Sequence, residues 1–202
     1  MNKNIIIIIE SITIVILLAL VSIIFFKNTN LEGNNLEIEK KWLINLEEMP
    51  YDLSIADKYE IVQTYFSFNP EMRVRNINKG EFYVLTIKRD TELKGFVREE
   101  YEYIITEEEY NNLLNKKEGD TIYKTRYQIE DENGFMMAID VFDGYLKGLA
   151  YLEIEFENKE IAESYEIPNW AIKDVTTDLE YKNGHLSRYG IPNSFYEYIK
   201  NE

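Results

Sequence analysis

Along most of the chain, apolar and polar residues alternate in short runs instead of recurring every three or four positions, and a period of two predicts strands. Leu36–Ile44 sets the pattern: Glu37, Glu39 and Lys41 share one face, Ile38 and Trp42 the other. Seven more strands are predicted at Glu60–Phe68, Glu71–Arg75, Glu81–Lys88, Phe96–Ile104, Ile122–Ile129, Phe135–Phe142 and Leu149–Phe156. Asn69-Pro70, Asn78-Lys79-Gly80 and Asp131-Glu132-Asn133-Gly134 are the turns between them. Thr106 and Glu109 form a capping box that opens one helix, to Leu114, and short helices are expected after Asn158 and near Ser194–Ile199. Beyond Pro168 the pattern is otherwise irregular, and Lys182 falls in a Tyr-Lys-Asn-Gly turn. Eight strands joined mostly by hairpins fit a mainly β, α+β fold: an antiparallel barrel whose interior holds side chains or one small ligand.

The front of the chain follows a different rule, since Ile5 to Phe26 is almost continuously apolar. As a helix this run spans roughly 33 Å, enough for a hydrocarbon core of about 30 Å. Residues 1–27 are therefore expected to be a single-pass membrane anchor, 28–35 a linker, and 36–202 the working domain. The run is too long for a signal-peptide core, and no small-x-small cleavage site follows Phe26. Lys27, Lys40 and Lys41 outweigh Lys3, which places the domain on the cytoplasmic side.

Composition narrows the chemistry. The 202 residues include no cysteine, which excludes disulfides, zinc-thiolate sites and cysteine nucleophiles, and the one histidine, His185, is expected on the surface. A formal charge of −15 argues against a nucleic-acid partner, whose phosphates need a basic surface. Any basic site must be local and enclosed.

The charged strand faces suggest such a site. On open strands they would be solvated surface. Turned into a barrel, they place Lys41, Arg73, Arg75, Lys88, Arg98, Lys124 and Arg126 beside Glu37, Glu39, Glu100, Asp140, Glu153 and Glu155. Burying so many ions costs several kcal/mol each unless they are paired, hydrated or bound to counter-ions. A wet tunnel satisfies both signs: its cations take a small polyanion, and its carboxylates take a hard divalent cation such as Mg²⁺ or Mn²⁺.

The motifs in order strengthen that reading. Glu37-x-Glu39-x-Lys41, Arg73-x-Arg75, Thr86-Ile87-Lys88, Arg98-x-Glu100, Lys124-Thr125-Arg126-Tyr127, Asp140-Val141-Phe142-Asp143-Gly144, Glu153-x-Glu155 and Asp174-Val175-Thr176 run on to Tyr181-Lys182-Asn183. In this order they resemble the CYTH superfamily, the triphosphate tunnel metalloenzymes, and its bacterial inorganic tripolyphosphatases in particular. The resemblance implies an eight-stranded tunnel and metal-dependent hydrolysis of a triphosphate, most simply inorganic tripolyphosphate. It implies phosphate binding by Lys41, Arg73, Arg75, Lys88, Arg98, Lys124, Arg126 and Lys182, and metal binding or support by Glu37, Glu39, Asp140, Glu153 and Glu155. Gln63-Thr64-Tyr65-Phe66 is similar to the family's Gln-Gly-Tyr-Leu stretch, with Thr64 in place of glycine; it implies that Tyr65 works beside Lys41. Glu100, or a carboxylate near a second metal ion, is expected to orient the attacking water. Arg98 and Glu100 also read as a plain cross-strand pair, and Lys182 as a surface lysine. A class IV adenylate cyclase, a thiamine triphosphatase and a non-catalytic, membrane-tethered sensor of polyphosphate or nucleotide are the alternatives.

Overall fold

The computed structural model describes residues 35–93 and 96–198. Among these, nine strands form one antiparallel sheet: β1 (Leu36–Ile44), β2 (Asp57–Phe68), β3 (Glu71–Ile77), β4 (Phe82–Asp90), β5 (Val97–Ile105), β6 (Glu118–Glu130), β7 (Met136–Phe142), β8 (Ala150–Glu155) and β9 (Ala171–Asp174). Their order is β5-β4-β3-β2-β6-β7-β8-β1-β9, and an added β5–β1 pairing closes eight of them into a barrel. Four helices accompany the barrel: α1 (Glu107–Leu114), α2 (Lys159–Ser164), α3 (Asn183–Tyr189) and α4 (Phe195–Tyr198).

β1 is the seam of the ring. Leu36–Ile38 pair with β5, Glu39–Leu43 with β8, and the final residues also with β9, which occupies the edge that β5 leaves. The turn after β3 places Asn78, Lys79 and Gly80 at positive φ, a conformation that asparagine and glycine tolerate best. The Thr106/Glu109 capping box is present at the start of α1 and satisfies amides that the helix itself leaves open.

Two apolar clusters hold the barrel. Outside it, Trp42, Ile44, Ile139, Leu152 and Ile154 project from β1, β7 and β8 and are covered by α2 and flanking loops. Inside it, Leu43, Tyr65, Ile122, Phe142 and Tyr151 lie on the lumenal faces of their strands and meet Val175, Tyr181, Leu186 and Phe195 from the C-terminal segment. Full burial of each such Leu, Ile or Phe side chain is worth about 1.5–3 kcal/mol. The lumen is thus apolar in one zone and ionic in the rest, so strand periodicity is kept while the chemistry of the inner face changes.

The predicted strands are all present, with ends moved by a few residues. The C-terminal region is more ordered than expected: β9 pairs with β1, and Lys182 stands not in a turn but between a short 3-10 helix (Leu179–Tyr181) and α3. His185 is half-buried, not exposed, because it packs in α3 against the Tyr189 ring with centroids 4.6 Å apart. The expected membrane anchor, 1–27, and all but the last residue of the expected linker, 28–35, lie outside the described residues; among those described, no helix is long and apolar enough to cross a membrane.

Candidate active site

The alternating charges face the lumen. Ion pairs that skip a strand demonstrate this, because side chains two strands apart converge only on the concave side of a closed sheet. Lys88 on β4 reaches Glu37 on β1 across β5, with Nζ 2.7 Å from Oε1. Arg73 on β3 lies 3.7 Å from Glu100 on β5, Arg75 pairs with Glu102, and Arg126 on β6 pairs with Glu153 on β8.

One wall, from β6 through β7 and β8 to β1, is tightly matched. Asp140 is fully buried and takes Arg126 through Nε at 2.8 Å and Nη2 at 2.7 Å, together with Lys124. Burial pushes the Asp140 carboxyl up, but Arg126 and Lys124 draw it below its usual value. Lys41 lies 2.8 Å from Glu153, its register partner on β8, and 3.6 Å from Glu39. Burial works against the Lys41 charge, yet Glu153 and Glu39 outweigh it and hold the ammonium above its ordinary pKa. Its backbone is clamped as well: Lys41 N–H donates to Thr176 Oγ1 at 3.0 Å, and Val175 N–H donates to the Lys41 carbonyl at 2.9 Å.

The opposite wall, β3 to β5, is less completely matched. Arg73 stands 3.7 Å from Glu100, Arg98 stands 3.4 Å from Glu71 and 3.1 Å from Asp90, and the Nε atoms of Arg73 and Arg75 are buried with no hydrogen-bond partner among the described residues. Beside this wall a cavity of about 480 Å³ opens between the β2–β3 and β4–β5 turns and the segment leading into α3. Lys88, Arg89, Arg98 and Lys182 line it, with Glu71, Asp90, Phe68, Pro70 and Leu179. Burial first, and then the neighbouring charges of Lys41, Lys88 and Arg98, push the Lys182 ammonium down to about 8, although Glu39 stands 4.0 Å away. Four cations converge here, and their mutual repulsion is what an incoming polyanion relieves.

The description "CYTH domain" matches residues 35–185. The chain belongs to the CYTH family. It is 34% identical over 117 residues to the inorganic triphosphatase of Nitrosomonas europaea, covering 58% of this chain and 74% of that one. It is 32% identical over 151 residues to the inorganic triphosphatase of Acetivibrio thermocellus, covering 74% and 92%. A crystal structure of an inorganic triphosphatase superposes with a TM-score of 0.54 at 30% identity, covering 75% of this chain and 93% of that one.

In this CYTH barrel the expected phosphate-binding residues are gathered in one lumen, Lys182 entering from outside the strands. The expected metal-binding carboxylates are more dispersed. Glu39 and Glu155 are register partners on β1 and β8, and Glu37 follows on the same face, an all-oxygen set suited in kind to a hard divalent cation. Among the described residues, however, no three acidic groups form a ready metal cluster. Glu37, Glu39, Glu153 and Asp140 are each engaged with lysine or arginine. Tyr65 stands beside Gln63, Phe68 and Arg73. Its hydroxyl accepts from Gln63 Nε2 at 2.9 Å, its ring stacks on Phe68, and burial pushes the hydroxyl up to about 12. The pairing register of β2 shifts on both sides of Tyr65, where Thr64 replaces the family's glycine and its hydroxyl meets that of Thr121 at 3.0 Å. The ring next to Lys41 is Tyr151, with Nζ 5.2 Å from its centroid.

Two lumenal residues were not expected at the site from the sequence: Glu71 and Tyr151. Each lies two residues from a residue that was singled out, on the same strand face, so alternation alone would have found them.

Proposed function

We propose that this CYTH protein is a metal-dependent triphosphatase acting on inorganic tripolyphosphate. The observation that carries the reading is the cavity that Lys88, Arg98 and Lys182 line together, where burial and the neighbouring charges of Lys41, Lys88 and Arg98 push the Lys182 ammonium down. The names of the relatives at 32–34% identity support the same reaction.

In this reading Arg73, Arg75, Lys88, Arg98 and Lys182 grip the phosphate chain from the β3–β5 side and the α3 side, and Lys124 and Arg126 complete the grip from β6. Phosphoryl transfer asks mainly for positioning and charge neutralisation, which a ring of fixed cations supplies. Asp140 keeps Lys124 and Arg126 aimed into the lumen. Glu37, Glu39, Glu153 and Glu155 would hold Mg²⁺ or Mn²⁺, whose part when bound is to neutralise phosphate charge and lower the pKa of water. Glu100 orients the attacking water, and Lys41 receives charge at the leaving phosphate. Tyr65, protonated throughout the physiological range, accepts from Arg73 and so keeps that guanidinium in place.

The apolar run Ile5–Phe26 supports a membrane-held enzyme, tested by whether alkali leaves the full chain in the membrane fraction, and Lys27, Lys40 and Lys41 support a cytoplasmic domain, tested by whether protease reaches it only from that side. For the activity, phosphate release by the full chain is measured from tripolyphosphate, ATP and thiamine triphosphate with Mg²⁺, with Mn²⁺ and with chelator. Tripolyphosphate is expected to be the best substrate, and chelation to abolish turnover. Glu155→Gln is expected to raise the metal concentration needed for half-maximal rate about tenfold while the melting temperature stays put. Release of cyclic AMP from ATP would instead make the protein a cyclase, and binding without turnover under either metal a sensor.

A further inference from the structure

Glu71 has no part in the reaction as set out, yet it stands where two halves of the cavity meet. It opens β3 on the face of Arg73 and Arg75, at the tip of the β2–β3 hairpin. Arg98 Nη1 donates to its Oε1 at 3.5 Å, and Arg98 Nη2 lies 3.4 Å from Oε2. Burial pushes the Glu71 carboxyl up, but Arg98 and then Arg73 pull it below its usual range, so it stays charged.

A separate observation comes from the other side. Gly184 lies in the first turn of α3, two residues after Lys182, and a Cβ added there would stand 3.0 Å from Glu71 Oε2. The φ of Gly184 is not positive, so the backbone does not require glycine, which costs a helix stability relative to alanine. The close approach of a carboxylate accounts for it. Glu71, Arg98 and Lys182 all line the same cavity.

We propose that Glu71 is a positioning residue: lodged between the Arg98 guanidinium and the bare backbone of Gly184, its carboxylate sets how far the hairpin stands from α3. It thereby holds Arg98 and Lys182 at a fixed separation for one phosphate chain. A carboxylate beside a polyanion's path repels it; here that repulsion is offset because the charge is committed to Arg98. The role rests on the triphosphatase reading above.

The test is a double-mutant cycle in the full chain, with KM and kcat for tripolyphosphate and the melting temperature read for each variant. Gly184→Ala moves the Glu71 carboxylate by a few tenths of an ångström. It is expected to raise KM about threefold, with less change in kcat and no loss of melting temperature. Glu71→Ala is expected to raise KM about tenfold, and adding Gly184→Ala to it should change KM no further. Equal effects of Gly184→Ala in both backgrounds, or an unchanged KM in Gly184→Ala alone, would overturn the role; the second result decides even if Glu71→Ala does not fold. If the unmodified chain binds tripolyphosphate without turnover, the triphosphatase reading fails alone, and the same cycle read by calorimetric Kd decides on Glu71. If it does not bind tripolyphosphate at all, both fail.

Discussion

The two walls of the lumen carry similar residues and treat them differently. On the β6–β8 side, Arg126 spends its Nε and Nη2 on Asp140 and Glu153, and Lys124 and Lys41 have short carboxylate partners. On the β3–β5 side, Lys88 and Arg75 also have carboxylate partners in Glu37 and Glu102, but among the described residues Arg73 and Arg75 keep a buried, unpartnered Nε, and the cavity opens beside Arg98. A buried donor without a partner costs free energy, so a fold retains one only where something else recovers it. The first wall is therefore a framework, its charges neutralised at rest, while the second keeps donors in reserve for the substrate.

The difference predicts a crossed pattern of stability and activity. Asp140→Ala strands Lys124 in the lumen and leaves Arg126 with Glu153 alone, and urea titration should show a loss of about 3–5 kcal/mol, the usual cost of removing one partner from a buried ion pair. Arg73→Met should lower kcat/KM for tripolyphosphate about a hundredfold, in line with the loss of one transition-state donor, and cost less than about 1 kcal/mol of stability. If Arg73→Met proved the more destabilising of the two, the division between framework and reserve would be lost.

Acid provides the smaller third effect. Glu153 lies well below its ordinary pKa and Asp140 below its own: burial opposes this in both, and Lys41 and Arg126 lead the groups that outweigh it. Carboxylates depressed on folding add stability that is complete above their unfolded values of about 4 and disappears as pH falls toward the folded ones. The melting temperature should stay nearly level from pH 7 to about pH 5 and drop below about pH 4, and the drop should be shallower in Asp140→Ala.

Much of this was readable from residue order, for a physical reason. A strand half inside a barrel must alternate, so Glu37, Glu39 and Lys41 announced both the strand and its inner face. β9 and α3 gave no such signal. β9 has four residues, too few to establish a period, and α3 buries Asn183, Gly184, Leu186 and Ser187 without a clean apolar stripe or a side-chain cap. The carboxylates expected to hold metal came from the family resemblance, but residue order could not show that most are already held by cations. Nor could it show Gly184 against Glu71, a contact between residues more than a hundred positions apart in the chain.

The strand carrying Glu37, Glu39 and Lys41 is also the one that joins β5 to β8 and shuts the ring. Its partners come from the middle and the far end of the sequence, so the ring closes through long-range pairings. Ring closure and completion of the ion-lined interior are one event. A ring without this strand would lack both its closure and three of the ions that line it.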